Sequence, residues 1–209
     1  MIRTMIVEDN LYVQKHFSNL LEKDPRFQIV DIFRDAFEAE KACRLHPVDL
    51  VLMDVQTAHN HSGLASAARI RETWPGTKVV IITSLVDPDI LMNARKSADS
   101  LWYKDYGDDD ILDVILRTLQ GERIFPDSAP EVEIRDALSS EISPRQLKIL
   151  RCFAIGMTYD EIADALSISR SGVRWNLDQM VEKCGFENKH ELLAAAIESR
   201  LIVTSLKES

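Results

Sequence analysis

The chain has 209 residues, 45% of them hydrophobic, and a formal net charge of −9 at neutral pH. That length is generous for one domain and suits two. No apolar run is long enough to span a bilayer, and the first residues lack the pattern of a secretory signal, so we expect a cytoplasmic protein and not a membrane or secreted one.

The charge is unevenly distributed along the chain. Residues 1–122 carry a net charge of −6, residues 123–142 carry −3, and residues 143–209 hold nine acidic and nine basic side chains. A nucleic-acid-binding domain would ordinarily show a basic excess in that last segment. The three cysteines, Cys43, Cys152 and Cys184, have no metal-ligand spacing, and we expect buried, reduced thiols.

Up to about residue 122, short apolar runs alternate with amphipathic stretches. This alternation predicts βαβ units and an α/β fold, a doubly wound, five-stranded parallel sheet. The predicted strands are Thr4–Val7, Phe27–Phe33, Leu50–Met53, Lys78–Ile82 and Ser100–Tyr103. The predicted helices are Leu11–Glu22, Ala36–Leu45, Leu64–Glu72, Asp89–Lys96 and Asp108–Leu119.

Five chemically capable residues fall at the carboxyl ends of these strands, where such sheets bind their ligands. They are Glu8, Asp9, Asp54, Thr83 and Lys104. Three converging carboxylates repel one another unless a cation neutralises them, and oxygen ligands of this kind suit Mg²⁺. The set predicts phosphoryl transfer onto Asp54, with Thr83 and Lys104 contacting the phosphoryl oxygens. Taken singly, Asp9 could cap the following helix, Thr83 could end a strand and Lys104 could be a solvated charge.

Residues 1–122 resemble the receiver domain of two-component response regulators, through the motifs IVEDN, LVLMDV, VVIITS and LWYKD. The resemblance implies that Asp54 accepts a phosphoryl group from a sensor histidine kinase. It also implies that Glu8, Asp9 and Asp54 hold Mg²⁺ with the backbone carbonyl of Gln56. Leu101 stands where such domains usually carry an aromatic residue, which leaves activity without phosphorylation as a lesser alternative.

Two further segments precede the C-terminal part. His59 and His61, in the loop after Asp54, allow a second metal site as a minor alternative to an ordinary polar loop. Residues 123–142 are rich in Gly, Pro, Ser and acidic residues, which indicates an inter-domain linker. One or two helical turns are expected around Val132–Leu138.

Residues 143–209 contain four helix-start signals and no strand pattern. Ser143, Thr158 and Asn188 are each followed three residues later by Gln or Glu, and Ser169 is a fourth predicted N-cap. The spacing predicts a small all-α domain of four helices with a helix-turn-helix. Leu166 and Ile168 are expected to fill the angle between the second and third helices.

The third of these helices has two different faces. Its predicted buried stripe is Val173, Leu177, Met180, Val181 and Cys184. The opposite side carries Ser171, Arg174, Trp175, Asp178, Gln179 and Glu182. In a helix-turn-helix protein such a face enters the major groove, where Gln179 can bind adenine and Arg174 guanine or phosphate. Asp178 and Glu182 oppose this reading, because the groove is strongly negative.

Residues 143–203 resemble the four-helix output domain of the NarL/FixJ (LuxR-type) regulators, through the stretch SPRQLKILRCFAIGMTYDEIADALSISRSGVRWNLDQMVEKCGF. The resemblance implies a transcription factor that binds promoter DNA with a recognition helix over Ser169–Cys184. Its expected contacts are Arg174, Trp175 and Asp178. Ser171 and Gln179 of the outer face, and the N-cap Ser169, are further expected contacts. The last helix commonly pairs subunits in that family, so a homodimer on phosphorylation or DNA binding is expected.

Two hypotheses of different kinds remain open. The favoured one is a DNA-binding response regulator, with a receiver at 1–122, a linker at 123–142 and an output domain at 143–209. The other is a phosphorylation-controlled regulator that binds a protein through the surface around Trp175, with weak or no DNA binding. An enzyme is not expected, because there is no Gly-rich phosphate loop and no nucleophile–base pair beyond the acceptor site; slow self-dephosphorylation is the most that the site would catalyse.

Overall fold

The computed structural model describes residues 1–104 and 108–204. Their contacts divide the chain into two units. Among the described residues, the first contains Met1–Ser84 and Pro88–Ser128, and the second contains Leu85–Asp87 and residues 129–204. The predicted domain boundaries at 122 and 143 stay predictions, and Asp105 of the LWYKD motif and residues 205–209 lie outside the described residues.

Within its described residues, the first unit alternates five strands and five α-helices. The strands are β1 (Ile2–Val7), β2 (Phe27–Phe33), β3 (Leu50–Asp54), β4 (Lys78–Thr83) and β5 (Ser100–Tyr103). The helices are α1 (Leu11–Glu22), α2 (Ala36–Ala42), α3 (Gly63–Thr73), α4 (Pro88–Ser97) and α5 (Asp108–Leu119). Each predicted element is present, and the bounds differ by three residues at most.

All five strands run parallel in the order β2-β1-β3-β4-β5. This is the predicted doubly wound α/β sheet. β3 is buried throughout and β4 is buried from Val79 onward, as expected of central strands covered by helices. Alternate residues of the central strands, such as Leu52 and Ile82, pack with Phe17 and Leu21 of α1 and Ile115 of α5 in one core. The strand order places β1 beside β3, so their carboxyl ends are adjacent.

The chain after α5 returns along the outer strand of the sheet. The N–H of Leu101 in β5 donates to the carbonyl of Ile124 at 2.9 Å, and the N–H of Ile124 donates to Oγ of Ser100 at 3.0 Å. The guanidinium of Arg123 donates to the carbonyl of Ala98 at 3.2 Å. Residues 123–126 therefore cover the β5 edge, whose backbone groups would otherwise face solvent.

The main segment of the second unit, which starts at Ala129, opens with a short β-hairpin. β6 (Glu133–Ile134) pairs antiparallel with β7 (Ala137–Leu138). The expected helical turns around Val132–Leu138 are therefore wrong. Arg135 adopts φ 58°, which no helix accommodates, and the N–H of Ser139 closes the hairpin by donating to the carbonyl of Val132 at 2.8 Å. Pairing buries Ile134 and Ala137 in the core of the second unit.

In the part of the chain described up to residue 204, four α-helices follow the hairpin: α6 (Pro144–Ala154), α7 (Tyr159–Leu166), α8 (Arg170–Lys183) and α9 (Lys189–Glu198). All four predicted N-caps are confirmed, because the side chains of Ser143, Thr158, Ser169 and Asn188 accept backbone N–H groups of the first turns. Ser167 ends α7 in the left-handed conformation and opens the tight turn into α8. Leu166 and Ile168 pack against the core on either side of that turn, as predicted.

Across residues 1–104 and 108–204, no helix is both long enough and apolar enough to cross a bilayer.

Candidate functional site

The strand ends of the first unit bring the predicted acidic residues to one rim. Asp54 and Thr83 are the last residues of β3 and β4, Glu8 and Asp9 follow β1, and Lys104 follows β5. Glu8 is 1% exposed and Asp54 is 7% exposed. Parallel pairing of adjacent strands sets these ends side by side. Asp54 therefore shares one cleft with Glu8, 46 positions before it in the sequence, and with Lys104, 50 positions after it.

Three carboxylates meet at this rim. One oxygen each from Glu8, Asp9 and Asp54 lies within 4.8 Å of the others. In the part of the chain that the structure describes, this is the one group of three or more acidic, His or Cys side chains close enough to share a metal ion. Oxygen donors at this spacing fit a hard cation such as Mg²⁺.

Lys104 provides the positive charge at the same rim. Its Nζ lies 2.6 Å from Oε2 of Glu8 and 3.0 Å from Oδ2 of Asp54. The N–H of Lys104 donates to the carbonyl of Thr83 at 2.8 Å, so the end of β5 is tied to the end of β4. Lys104 is therefore not a solvated charge but a half-buried partner of two carboxylates.

Burial dominates the electrostatics of Asp54. It raises the pKa of the Asp54 carboxyl to about 7, and the nearby charge of Glu8 acts in the same direction, against the lowering effect of Lys104. Burial alone would lower the pKa of Lys104, but the charges of Asp54 and Glu8 outweigh it and raise that pKa. Lys104 therefore stays protonated, whereas the carboxyl group of Asp54 is costly to ionise unless further positive charge is near it.

Backbone contacts fix the acceptor side chain. The N–H of Val55 donates to Oδ1 of Asp54 at 2.8 Å, which leaves Oδ2 directed toward Lys104. The N–H of Gly63, the first residue of α3, donates to the carbonyl of Val55 at 2.9 Å. A side-chain carbon at position 63 would overlap the backbone of Asp54. Sequence reasoning missed Gly63, although a Gly directly before an apolar helix is a recognisable sign of close backbone approach.

The structure supports neither the helix cap considered for Asp9 nor the second metal site considered for His59 and His61. Asn10, not Asp9, caps α1, because its side chain accepts the N–H groups of Tyr12 and Val13. Nδ1 of His61 lies 2.7 Å from Oδ1 of Asp35, which itself caps α2. The loop closes on itself through an antiparallel bridge between Gln56 and Ser62, and so the backbone of Gln56 is held near the end of β3.

The second predicted site is the outer face of α8. The core-facing stripe is confirmed, with Val173, Leu177, Met180 and Cys184 buried and Val181 partly buried against them. Ser169 is the N-cap, and its Oγ accepts the N–H of Gly172 at 3.0 Å. The other predicted contact residues are exposed: Ser171, Arg174, Trp175, Asp178 and Gln179. Trp175 is 61% exposed, an unusual position for an aromatic side chain without a partner molecule.

Family models of known proteins match both parts of the chain. Residues 4–116 match the family model of the response regulator receiver domain, and residues 140–196 match that of the bacterial regulatory proteins of the luxR family. The chain is a response regulator. It combines a receiver domain with a LuxR-type DNA-binding domain, as the NarL/FixJ-type regulators do.

Relatives of this response regulator match it over nearly its whole length. Oxygen regulatory protein NreC of Staphylococcus carnosus is 25% identical, with 96% of this chain and 99% of that protein covered. A structure of RcsB dimers bound to two parallel DNAs is 20% identical with a TM-score of 0.62, over 95% of this chain and 98% of that one. The response regulator ChrA, from a heme-sensing two-component system, is 24% identical with a TM-score of 0.51 and covers 96% and 98%.

Proposed function

We propose that the protein regulates transcription in response to phosphorylation of Asp54. A sensor histidine kinase supplies the phosphoryl group, and the output domain binds promoter DNA. The observation that carries this proposal is the convergence of Glu8, Asp9 and Asp54 with the ammonium of Lys104 at one rim. Asp54 serves as acceptor, so the protein's part is that of substrate and not of an enzyme with turnover.

The site has the composition that a divalent cation requires. Three carboxylates and one ammonium leave two formal negative charges, which Mg²⁺ would neutralise. Glu8, Asp9 and Asp54, with the backbone carbonyl of Gln56, would hold the ion. When bound, Mg²⁺ withdraws charge from the phosphoryl oxygens and favours the ionised form of Asp54.

Residues of this chain position the groups for phosphoryl transfer to Asp54. Oδ1 of Asp54 is held by the N–H of Val55, so Oδ2 is the oxygen that attacks phosphorus. The bond from phosphorus to the kinase imidazole breaks as the bond to Oδ2 forms. Lys104, 3.0 Å from Oδ2, then neutralises a phosphoryl oxygen, and the Thr83 hydroxyl at the end of β4 donates to another.

DNA binding by the output domain is assigned to α8. Its exposed outer face and the helix-turn-helix spacing of α7 and α8 suit insertion into the major groove. RcsB, a structural relative, has been solved as dimers on DNA, which supports the same role here. We also propose a homodimer on phosphorylation or DNA binding, in which α9 pairs subunits; its Ile197 is exposed on the surface of the domain.

A second candidate is a regulator that binds a protein partner through the output domain. Trp175 stands at the centre of the exposed face of α8, and Asp178 and Glu182 follow it on the next two turns. An aromatic anchor with acidic neighbours suits a protein interface better than a phosphate backbone.

Mass spectrometry tests the acceptor. Incubation with acetyl phosphate and Mg²⁺ should add one phosphoryl group to the wild type and none to Asp54→Asn. Asp113→Asn, which removes an exposed carboxylate on α5, is the matched control and should still be labelled. Removal of Mg²⁺ with EDTA should abolish labelling. An adduct that persists in Asp54→Asn would overturn the assignment.

Fluorescence anisotropy separates the two output hypotheses. The full chain, with and without acetyl phosphate, is titrated against fluorescein-labelled duplexes from its own genome over a series of salt concentrations. A dissociation constant that rises steeply with salt supports DNA binding. Absence of salt-dependent binding at low ionic strength in both states would favour the protein-binding regulator.

A further inference from the structure

A cleft in the output domain lies beside the recognition face of α8. Its volume is about 480 Å³, and it opens between α8 and the N-terminal residues of α7 and α9. Residues from all three helices form its walls: Tyr159, Arg170, Ser171, Arg174, Asp178 and Lys189. Neither Arg170 nor Lys189 was among the DNA contacts predicted from the sequence.

Positive charge is concentrated in this cleft. Its walls carry three cationic side chains and one carboxylate, although residues 143–209 hold equal numbers of acidic and basic residues. The zero net charge of the domain therefore conceals a local surplus on one side of α8. Such a local surplus, and not the sum over a domain, sets the attraction for a polyanion at contact distance.

Lys189 is held in place within the cleft. Its Nζ donates to the hydroxyl of Tyr159 and lies 4.8 Å from the centre of the Tyr159 ring. Both residues are half-buried, so the lysine loses little further rotamer freedom when it binds an anion.

The two arginines are exposed and only weakly paired. Nε of Arg170 lies 3.6 Å from Asp160, and Nε of Arg174 lies 3.5 Å from Asp178. All four side chains are more than half exposed, so these ion pairs contribute little and an incoming phosphate can replace them. The planar guanidinium group suits bidentate binding of phosphate oxygens.

The position of the cleft relative to α8 indicates which part of the DNA it meets. With 3.6 residues per turn, Trp175 lies opposite the buried stripe, whereas Arg170 and Arg174 lie on the flank nearer to α7 and α9. When the centre of the face meets base edges, the flank meets the sugar-phosphate strand that borders the groove.

We propose that Arg170, Lys189 and the Tyr159 hydroxyl form a binding site for a backbone phosphate of duplex DNA. This proposal rests on the DNA-binding function proposed above and adds a positioning contact that is independent of base sequence. It implies that Lys189, on the helix after the recognition helix, fixes the orientation of α8 in the groove.

The test is a salt series with a fluorescein-labelled 30-base-pair duplex of mixed sequence, because a phosphate contact does not require the operator. Wild type, Arg170→Met and Lys189→Met are compared as full chains, with and without acetyl phosphate and Mg²⁺. Lys183→Met is the matched control, since it removes one exposed charge near the far end of α8, 13 residues from Arg170. Thermal unfolding of each variant checks that the domain is folded.

Each cleft variant should bind about tenfold more weakly at 100 mM salt, the effect of losing one hydrogen bond to a charged group. The slope of log K against log salt should become shallower by about 0.9 for each lost contact. Tyr159→Phe, which keeps the ring beneath Lys189, should show a smaller loss. Equal behaviour of the cleft variants and Lys183→Met would overturn the proposal while DNA binding stands. Failure of the wild type to bind would instead overturn the proposed DNA-binding function, and with it the phosphate site.

Discussion

A β-carbon added to Gly63 would lie 1.8 Å from the main-chain oxygen of Asp54. No real side chain tolerates that distance, so the first residue of α3 and the last residue of β3 can approach this closely only because position 63 carries no side chain. The backbone of the proposed phosphoacceptor is therefore set in part by a glycine nine residues away.

Gly63→Ala should displace the backbone of Asp54. We expect a loss of stability of about 1–3 kcal/mol, as for overpacked cores, and strongly reduced labelling by acetyl phosphate. Urea unfolding and mass spectrometry measure the two effects. Gly76→Ala is the control, because a β-carbon there meets nothing within 4 Å; it should change stability by no more than about 1 kcal/mol. Normal labelling of Gly63→Ala would show that the close approach does not position the acceptor.

Asp178→Asn should strengthen binding of the mixed-sequence duplex. Asp178 lies in the cationic cleft and pairs with Arg174 at 3.5 Å, so its removal frees a guanidinium and relieves repulsion of the phosphates. We expect a two- to fivefold lower dissociation constant, about what an exposed charge contributes. Anisotropy measures it, with Asp164→Asn on α7 as an exposed control outside the cleft. Weaker binding by Asp178→Asn would indicate instead that the carboxylate accepts a hydrogen bond from a base.

Ile134→Ala should destabilise the output domain although residue 134 precedes the first of its four helices. Ile134 is 1% exposed in the core of that domain, so truncation should cost about 2–5 kcal/mol. Leu138→Ala, on the same hairpin but 37% exposed, is the control and should cost less than about 1 kcal/mol. Calorimetry of the full chain measures both. Similar transition temperatures for the two variants would mean that the hairpin does not belong to the domain core.

Cys43 should resist alkylation in the folded protein. Burial, aided by the charge of Glu40, raises the pKa of its thiol to about 11, so roughly one molecule in a thousand carries the reactive thiolate at pH 8. Burial also raises the pKa of Cys184. Iodoacetamide at pH 8, followed by peptide mapping, should label the half-buried Cys152 first and the other two after denaturation.

The raised pKa of Cys43 also makes the free energy of unfolding decrease at alkaline pH. The unfolded thiol ionises near pH 8.5, whereas the folded thiol keeps its proton up to about 11. The contribution of Cys43 to the free energy of unfolding is therefore complete below pH 8.5 and declines as the pH rises toward 11. Cys43→Ala should show a flatter decline over this range; an unchanged profile would contradict the assignment.

Local signals predicted most of the fold. Strand ends and helix starts depend on hydrophobic period and cap chemistry within a few residues, which is why Asn188 and Ser169 were identified as caps and Asp54 as the end of a strand. The convergence of Glu8 with Lys104 followed from these positions once a parallel sheet was assumed.

The missed features depend on contacts between distant residues. β6 and β7 have two residues each, too few to display a period, and their pairing is stabilised by burial of Ile134 in a core formed by later helices. Lys189 and Tyr159 are 30 residues apart in the sequence, and no local sequence pattern near either residue predicts their contact. The contact between Gly63 and Asp54 likewise arises only when strand and helix pack.

The segment after α5 has a consequence for self-association. Because Ile124 accepts the N–H of Leu101 and donates to Oγ of Ser100, residues of the same chain already lie where a strand from another molecule would pair with β5. We therefore expect copies of this receiver to associate on that flank through side chains of helices and loops and not by continuing the sheet.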